Sequence, residues 1–207
     1  MYILIGAGGH SKVVLDILLS SHQKIFGFLD DNRMGNFASY PVLGRIDEID
    51  KIIQEFVNPK FIVTIGDNHA RKRIVKGLES LNINFGQAIH PSAIIGSNVS
   101  LGSGTVVMAN TVINHSAEIG NHVIINTGST IDHDCVVGNY SHVSPGANLA
   151  GNVALSELVH FGIAACAIQG IKVGRNSIVG AGSVVIRNLP AKTVSVGNPA
   201  RPIKTLN

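Results

Sequence analysis

One register of apolar residues, repeated every six positions, constrains the fold of this 207-residue chain more than any other feature. Helices bring apolar residues back at intervals of three and four, and half-buried strands at intervals of two. A period of six that continues over sixteen positions indicates instead a solenoid of short repeats, in which each unit is buried by its neighbours. The positions are Ile95, Leu101, Val107, Ile113, Ile119, Ile125, Ile131, Val137, Val143, Leu149, Leu155, Phe161, Ala167, Val173, Val179 and Val185.

This pattern resembles the hexapeptide repeat of the left-handed parallel β-helix, in which three hexads form one triangular coil of eighteen residues. The resemblance implies that the periodic residues fill the inside of the prism and that coils stack about 4.8 Å apart through strand pairing. Residues eighteen apart then become vertical neighbours, so that His133 lies above His115 and beneath Gly151. Glycine often follows the periodic position, as at Gly102 and Gly138, where we expect a turn that needs permissive backbone dihedrals.

The chain before His90 and Pro91 follows a different pattern. Buried strands are predicted at residues 2–6, 24–30 and 61–66, and helices at residues 11–21, 46–56 and 68–81. Strands that alternate with helices predict a βαβαβα unit with a parallel sheet. The predicted fold class is therefore an α/β N-terminal Rossmann-like domain, residues 1–89, followed by a left-handed parallel β-helix with a C-terminal tail, residues 90–207.

Charge and cysteine content disfavour several classes of function. The formal net charge is +3 and the Lys and Arg residues form no block, so no nucleic-acid partner is expected. The run from Gly86 to Ala117 carries no charge, but Gly, Ser, Asn and His interrupt it, so we expect no membrane insertion. The first residues lack the pattern of a cleavable signal, and only two cysteines occur. We expect a cytoplasmic protein.

Several segments resemble the bacterial sugar acetyltransferases of the NeuD and PglD type, and the likeness extends over essentially the whole chain. They are GAGGHSKVV, FLDD, IGDNHARKRI, INTGSTIDHDCVVGNYSHVSPGANLAGNV and VGNPAR. The resemblance implies an N-terminal domain that holds a nucleotide-linked sugar and a homotrimeric β-helix that binds acetyl-coenzyme A (acetyl-CoA) between subunits. It also implies transfer of the acetyl group from sulfur to an amino or hydroxyl group of the sugar.

The stretch around DHDCVVGNYSH carries the catalytic residues that this resemblance implies. An amine that attacks a thioester must lose a proton, and imidazole suits that transfer because its pKa lies near neutrality, so His133 is the expected general base. Asp134, where this type of protein often has Glu, would hold the ring in one tautomer. His142 is expected to contact the acetyl donor or the nucleophile. The backbone N–H of Gly151 is expected to stabilise the oxyanion, with Asn126 supporting the local geometry.

The N-terminal turn departs from the dinucleotide-binding fingerprint. A G-x-G-x-x-G motif would place its third glycine at position 11, where this chain has Ser11. The turn still presents backbone N–H groups and a helix N-terminus to a phosphate, so anion binding is expected and ordinary NAD binding is doubtful. A plain turn role is equally open for the two aspartates that end the second strand. The set implied to bind the nucleotide sugar is Gly8, Gly9, His10, Asp30, Asp31, Gly66 and Asn68.

The acetyl donor is expected along the later coils. The resemblance implies a donor site that contains His142, Gly151, Gly180, Ala181 and Gly182. No metal is expected, because zinc would need three converging imidazoles and the H-x4-H pair of β-helix carbonic anhydrases is absent.

Other chemically versatile residues receive no role. Cys135 belongs to an inward row of small residues, where packing explains it, and Cys166 lies between two small residues. His115 and His160 are expected to decorate the outside of the prism. Arg71, Lys72 and Arg73 are expected on a solvated helix face.

The sequence thus predicts an acetyl-CoA-dependent N-acetyltransferase that acts on a nucleotide-linked amino sugar in surface glycan or glycoprotein synthesis. A UDP-linked 4-amino sugar is favoured as the acceptor. Two alternatives stay open: O-acetylation of sialic acid, and a non-catalytic scaffold that binds a nucleotide sugar and whose histidines are inert.

Overall fold

The computed structural model describes residues 1–207, which form an α/β unit followed by a parallel β-helix. The strands of the first unit are β1 Tyr2–Ile5, β2 Ile25–Leu29, β3 Asn36–Phe37, β4 Tyr40–Gly44 and β5 Lys60–Val63. Its helices are α1 Gly9–Ser20, α2 Ile49–Glu55 and α3 Asn68–Gly77, with 3-10 turns at Ile46–Glu48 and Glu79–Leu81. The sheet order is β3-β4-β2-β1-β5, and only β3 runs antiparallel to its neighbour.

The predicted βαβαβα arrangement is confirmed, with one addition. Strand β1 lies inside the sheet, between β2 and β5, and its residues Ile3, Leu4 and Ile5 are fully buried, as expected for a parallel strand covered on both faces. The antiparallel edge strand β3 and its neighbour β4 are not predicted by the sequence. A two-residue strand has no measurable period, and Pro41 in β4 argues against a strand except at a sheet edge.

The β-helix is built from two-residue strands on three faces. Face 1 contains β7 Ile94–Ile95, β10 Val112–Ile113, β13 Thr130–Ile131, β16 Asn148–Leu149, β19 Cys166–Ala167 and β22 Val184–Val185. Face 2 contains β8 Ser100–Leu101, β11 Glu118–Ile119, β14 Val136–Val137, β17 Ala154–Leu155 and β20 Lys172–Val173. Face 3 contains β6 Ala88–Ile89, β9 Val106–Val107, β12 Ile124–Ile125, β15 His142–Val143, β18 His160–Phe161, β21 Ile178–Val179, β23 Thr193–Val196 and the antiparallel β24 Arg201–Thr205.

Strand pairing follows the eighteen-residue spacing that the period predicts. Ile113 pairs with Ile131, and Ile125 pairs with Val143. Every periodic residue from Val107 to Val185 is at most 4% exposed, whereas the two earlier ones lie in the first coil and are more open. The left-handed β-helix fold is therefore confirmed, and its interior is the row of residues that the sequence identifies.

The glycines that follow the periodic residues are required for a different reason from the one expected, which was a turn with permissive backbone dihedrals. Positive φ values occur two positions later, on residues such as Asn98, Ser116 and Asp134. Gly138 has no such φ, but a Cβ added to it would lie 2.5 Å from the backbone nitrogen of Glu157 in the next coil. Close stacking of the coils selects glycine at this position. The expectation of permissive dihedrals there was wrong.

The α/β unit covers face 3. Residues of β1 and α1, including Leu4 and Leu18, share one apolar cluster with Val106, Met108 and Ile124 on that face. The upper part of the face, formed by β15, β18 and β21, is left beneath the loop that joins β5 to α3. Across the whole chain, the helices are too short or too polar to span a lipid bilayer.

Candidate active site

His133 and Asp134 form a hydrogen-bonded pair on the turn between β13 and β14. The Nδ1 atom of His133 lies 2.8 Å from Oδ2 of Asp134, and the two side chains are 54% and 53% exposed. Asp134 has a φ of +57°, a left-handed conformation that short polar residues tolerate better than most. Asp132 accepts the backbone N–H of His133 at 2.8 Å and the side-chain N–H of Asn114 at 2.9 Å. The pair therefore sits on a turn that its own neighbours brace.

The pKa of His133 is raised above its ordinary value. The hydrogen bond that His133 donates to Asp134 is the largest cause, and the charge of Asp132 adds to it. Because Nδ1 faces the carboxylate, Nε2 is the nitrogen left to accept a proton. Asp134 thus both orients the imidazole and strengthens it as a base, which is the arrangement expected of a general base and its orienting acid.

Gly151 lies against the imidazole of His133, one coil above it. A Cβ added to Gly151 would lie 2.6 Å from both Cε1 and Nε2 of the ring, so a larger residue would displace the ring. The backbone N–H of Gly151 makes no hydrogen bond within the chain. A free backbone N–H beside a base is suited to stabilise negative charge that develops on a thioester oxygen.

His142 is on face 3, in a setting unlike that of His133. Burial is the largest cause that lowers the pKa of His142 to about 3, and His160, Arg71 and His10 act in the same direction. The ring is therefore neutral at physiological pH. It can donate or accept a hydrogen bond without adding charge to its surroundings.

The hydrogen bonds around Asn126 assign the tautomer of His142. The backbone N–H of Thr127 donates to Oδ1 of Asn126 at 2.8 Å, which leaves Nδ2 of Asn126 to face Nε2 of His142 at 3.0 Å. Because Nδ2 can only donate, Nε2 of His142 is the acceptor and Nδ1 carries the hydrogen. That Nδ1 is buried and has no partner in the chain. Asn126 thus supports the local geometry as expected.

A cavity of about 790 Å³ lies between the loop after β5 and the upper strands of face 3. His142 and His160 line it from the β-helix, and Gly66 and Asn68 line it from the α/β unit. Asn68 itself is largely occupied, because its Nδ2 donates to the carbonyl oxygens of Leu158 and Val159 at 3.4 and 3.3 Å. The cavity therefore has one wall from each unit of the chain.

The glycine-rich turn leads from β1 into α1 and is open to solvent. Gly6 has a φ of +104°, and Ser11, at the position of the missing third glycine, is fully buried and donates to the carbonyl of Gly8 at 2.6 Å. No side chain caps α1, and no atom lies within 4 Å of a Cβ added to Gly8 or Gly9. An anion can approach this helix N-terminus. His10 follows, with its Nε2 buried and unpartnered and its pKa lowered to about 4, mainly by burial.

Asp30 and Asp31 hold the backbone of neighbouring loops. Oδ2 of Asp30 accepts the N–H of Ala7 at 2.7 Å, and its Oδ1 accepts the N–H of Asn32 at 2.9 Å. Oδ1 of Asp31 accepts the N–H of Ile46 at 2.9 Å. The structure therefore gives both aspartates the turn role that the sequence left open, and a contact between them and a nucleotide stays a prediction.

The prism separates the expected catalytic residues within one chain. His133 lies at the edge shared by faces 1 and 2, whereas His142 lies on face 3, across the prism from that edge. The turn that contains Gly180, Ala181 and Gly182 joins face 3 to face 1. One chain therefore brings neither His142 nor this turn to the side of His133.

Two residues for which the sequence predicts no role, His160 and Arg71, lie in or next to the wall of the cavity. His160 packs edge-to-face on His142, with ring centroids 5.1 Å apart, and is not a decoration of the outer surface. Arg71 is 1% exposed, so its expected place on a solvated helix face was wrong. The spacing of eighteen could have found His160. Nothing local marks Arg71, because three of its six acceptors lie on residues 51 to 70 positions away in the chain.

The other residues without a predicted role lie away from the cavity or have a structural explanation. Lys72 also leaves the solvated face and pairs with Glu157 at 2.5 Å, whereas Arg73 is exposed. His115 stays outside, as expected, with Ser116 Oγ 2.7 Å from its Nδ1. Cys135 is fully buried in the inward row, which confirms that packing explains it. No three His, Cys, Asp or Glu side chains are grouped closely enough to hold a metal ion.

Two family models match this chain. The PglD N-terminal domain matches residues 2–78, and the bacterial transferase hexapeptide model, of six repeats, matches residues 98–133. Among solved structures, a histidine-to-asparagine mutant of perosamine N-acetyltransferase from Caulobacter crescentus, in complex with CoA and GDP-perosamine, superposes with a TM-score of 0.95. That enzyme is 34% identical, and the superposition covers 98% of this chain and 96% of the other.

Similar sequences include two named acetyltransferases. A 2,3,4,5-tetrahydropyridine-2,6-dicarboxylate N-acetyltransferase of Clostridium perfringens is 46% identical over 182 residues, which are 84% of this chain and 75% of that enzyme. A UDP-N-acetylbacillosamine N-acetyltransferase of Bacillus subtilis is 36% identical over 109 residues, which are 50% of this chain and 49% of that enzyme. The chain spans only 20% of a longer, uncharacterised mimivirus protein, at 36% identity over 105 residues.

Both halves of the chain thus match known proteins in the order that the sequence predicts, and one solved acetyltransferase matches nearly its whole length. The chain belongs to the NeuD and PglD type of sugar acetyltransferases, within the hexapeptide-repeat acyltransferases of left-handed β-helix fold, and it is an acetyltransferase.

Proposed function

We propose that this enzyme transfers the acetyl group of acetyl-CoA to the amino group of a nucleotide-linked amino sugar, in the synthesis of a surface glycan or glycoprotein. The observation that carries the proposal is the His133–Asp134 pair beside the unused N–H of Gly151. The Caulobacter enzyme with bound GDP-perosamine and the Bacillus enzyme named for a UDP-linked sugar support this class of acceptor. A UDP-linked 4-amino sugar stays our first choice.

The chemistry assigns one step to each of these groups. The amine nitrogen attacks the thioester carbon while its proton passes to Nε2 of His133, and Asp134 stabilises the imidazolium that forms. The N–H of Gly151 donates to the oxygen that becomes negative. The carbon–sulfur bond then breaks and the amide is formed. The imidazolium gives the proton that it took from the amine to the thiolate of CoA.

The α/β unit is proposed to hold the nucleotide sugar. The open N-terminus of α1 at Gly8 and Gly9 suits a diphosphate, and the cavity begins at the next loop. The unpartnered nitrogens of His10 and His142 can hydrogen-bond to hydroxyl groups of the sugar. Neutral imidazoles suit this contact, because they do not repel an amino group that arrives protonated.

A second copy of the chain is proposed to complete each site. His133 and the face that carries His142 point away from each other in one chain, so both can meet one substrate only across an interface between copies. A closed ring in which the edge of faces 1 and 2 meets face 3 of the next copy gives every copy one base and one cavity. We propose the homotrimer that the family resemblance implies. Both cysteines are free, which fits a reducing cytoplasm as the proposed location.

The Clostridium relative favours a second acceptor, a small dicarboxylate with a reactive nitrogen. Such a molecule needs no nucleotide-binding domain, whereas this chain devotes its first unit to an open glycine turn. We therefore rank it below the nucleotide sugars and include it in the test.

The experiment measures thiol release from acetyl-CoA with UDP-linked 4-amino sugars, GDP-linked amino sugars, sialic acid and the tetrahydropyridine dicarboxylate. Turnover with one nucleotide-linked amino sugar, lost in His133→Ala and retained in His115→Ala, supports the proposal. The control is matched, because His115 is an exposed histidine one coil beneath His133 on the same edge. Turnover only with sialic acid or the dicarboxylate, or binding of a nucleotide sugar without turnover, would overturn it.

A further inference from the structure

Arg71 is buried between the two units of the chain without an acidic partner. Its side chain is 1% exposed, and it makes no salt bridge. All three guanidinium nitrogens donate hydrogen bonds, and every acceptor is neutral. The acceptors are the carbonyl oxygens of His122 at 2.8 Å, Ile65 at 2.9 Å, Gly66 at 3.1 Å, Tyr140 at 2.8 Å and Ser141 at 3.3 Å, and Oδ1 of Asn68 at 2.8 Å.

These acceptors belong to two different parts of the fold. Ile65 and Gly66 lie in the loop between β5 and α3, Asn68 begins α3, and Gly66 and Asn68 belong to one wall of the cavity. The other acceptors lie on turns between faces 2 and 3, and the carbonyl groups of Tyr140 and Ser141 come directly before His142. One rigid guanidinium fork therefore joins one wall of the cavity to the start of the strand that carries the histidine of the other wall.

We propose that Arg71 is a positioning residue that sets the spacing between the two walls of the amino-sugar cavity. This inference rests on the proposed function, because the cavity is taken to hold the acceptor sugar. Arg71 would act through the Gly66 loop and through His142, without touching the substrate itself.

The charge of Arg71, which no salt bridge neutralises, supports the same role. The ionisable groups around it are His10, His122, His142, His160, Asp67 and Tyr140. Burial and then the charge of Arg71 lower the pKa of His10 and His122 to about 4. Arg71 therefore helps to keep these imidazoles neutral, and its own charge is shared among carbonyl oxygens. An apolar replacement removes both the fork and this effect.

The kinetic test compares Arg71→Met and Arg71→Lys with Arg73→Met. Arg73 lies on the same helix but is exposed and makes no salt bridge, so its variant controls for the loss of a cation from α3. A misplacement of about 1 Å between substrate and catalytic groups lowers turnover about 100-fold. We expect a loss of that size in kcat for Arg71→Met and a smaller loss for Arg71→Lys, which keeps the charge but not the fork. The Kd for UDP or GDP should stay within about threefold, because Arg71 makes no hydrogen bond to the diphosphate site proposed at Gly8 and Gly9.

A measurement that does not need turnover separates this inference from the proposed function. Hydrogen exchange in Arg71→Lys should speed up at the loop around Gly66 and at the amides of residues 140–142, but not at Ile131 on face 1. If the wild-type enzyme acetylates no nucleotide sugar, the proposed function fails, and this exchange pattern still tests the placement of the walls. The inference is overturned if exchange stays unchanged or rises uniformly along the chain. A kcat of both Arg71 variants within threefold of that of Arg73→Met would also overturn it.

Discussion

Replacement of Gly151 by alanine tests the proposed base by displacing it rather than removing it. The added Cβ would lie 2.6 Å from Cε1 and Nε2 of His133, whereas ordinary van der Waals contact begins at 3.4 Å. The ring must therefore retreat by about 0.8 Å, the difference between these two distances. Gly151 does not have a left-handed φ, so the backbone accepts alanine. The half-exposed His133 side chain is free to move, so the fold should be preserved.

The size of the effect follows from that displacement. A shift approaching 1 Å between a base and its substrate lowers turnover by about 100-fold, which corresponds to about 2.7 kcal/mol in activation free energy. The free energy of unfolding should change by less than about 0.5 kcal/mol, as for an ordinary surface substitution. Gly77→Ala is the matched control, because a Cβ added at the end of α3 meets no atom within 4 Å. This control should keep full activity.

The assay is thiol release at saturating acetyl-CoA with the acceptor that the wild-type enzyme uses, paired with denaturant unfolding of each variant. A Gly151→Ala enzyme that folds normally but keeps more than about a third of the wild-type kcat would refute the reasoning. In that case the ring of His133 does not need its position beneath Gly151, and the residue is not the base in this conformation.

Further predictions concern the pH profile and the core. The rate should fall as the pH drops through the raised pKa of His133, because only the neutral imidazole accepts a proton. Asp134→Asn removes the largest cause of that raised pKa, so the acidic limb of the kcat profile should move to lower pH while the maximal rate drops; an unmoved limb contradicts the pairing. Phe161 is fully buried in the inward row, so Phe161→Ala should lower the free energy of unfolding by about 3–5 kcal/mol in guanidinium titrations. A loss below about 1 kcal/mol would show that the interior tolerates the cavity.

The parts of this protein that its sequence predicts are those set by short-range spacing. The six-residue period identifies the inward row and the vertical neighbours of the β-helix, because each hexad repeats the same backbone path. The pairing of His133 with Asp134 is also local, since the two are adjacent in the chain. Even so, the local pattern misled at the glycines after the inward row. There the constraint is contact with the next coil, as at Gly138, and not a left-handed φ.

By itself, then, the sequence determined the two-unit fold, its register and the residues to examine for acetyl transfer. Only the tertiary structure decided which polar side chains are buried or paired between the two units. Arg71 and Lys72 belong to a helix whose pattern looks solvated, yet the β-helix buries the first and pairs the second with Glu157. The prism also decided that His133 and His142 lie apart in one chain. The physical reason is that the environment of a polar side chain depends on surfaces brought together by folding, which residue spacing within one segment does not encode.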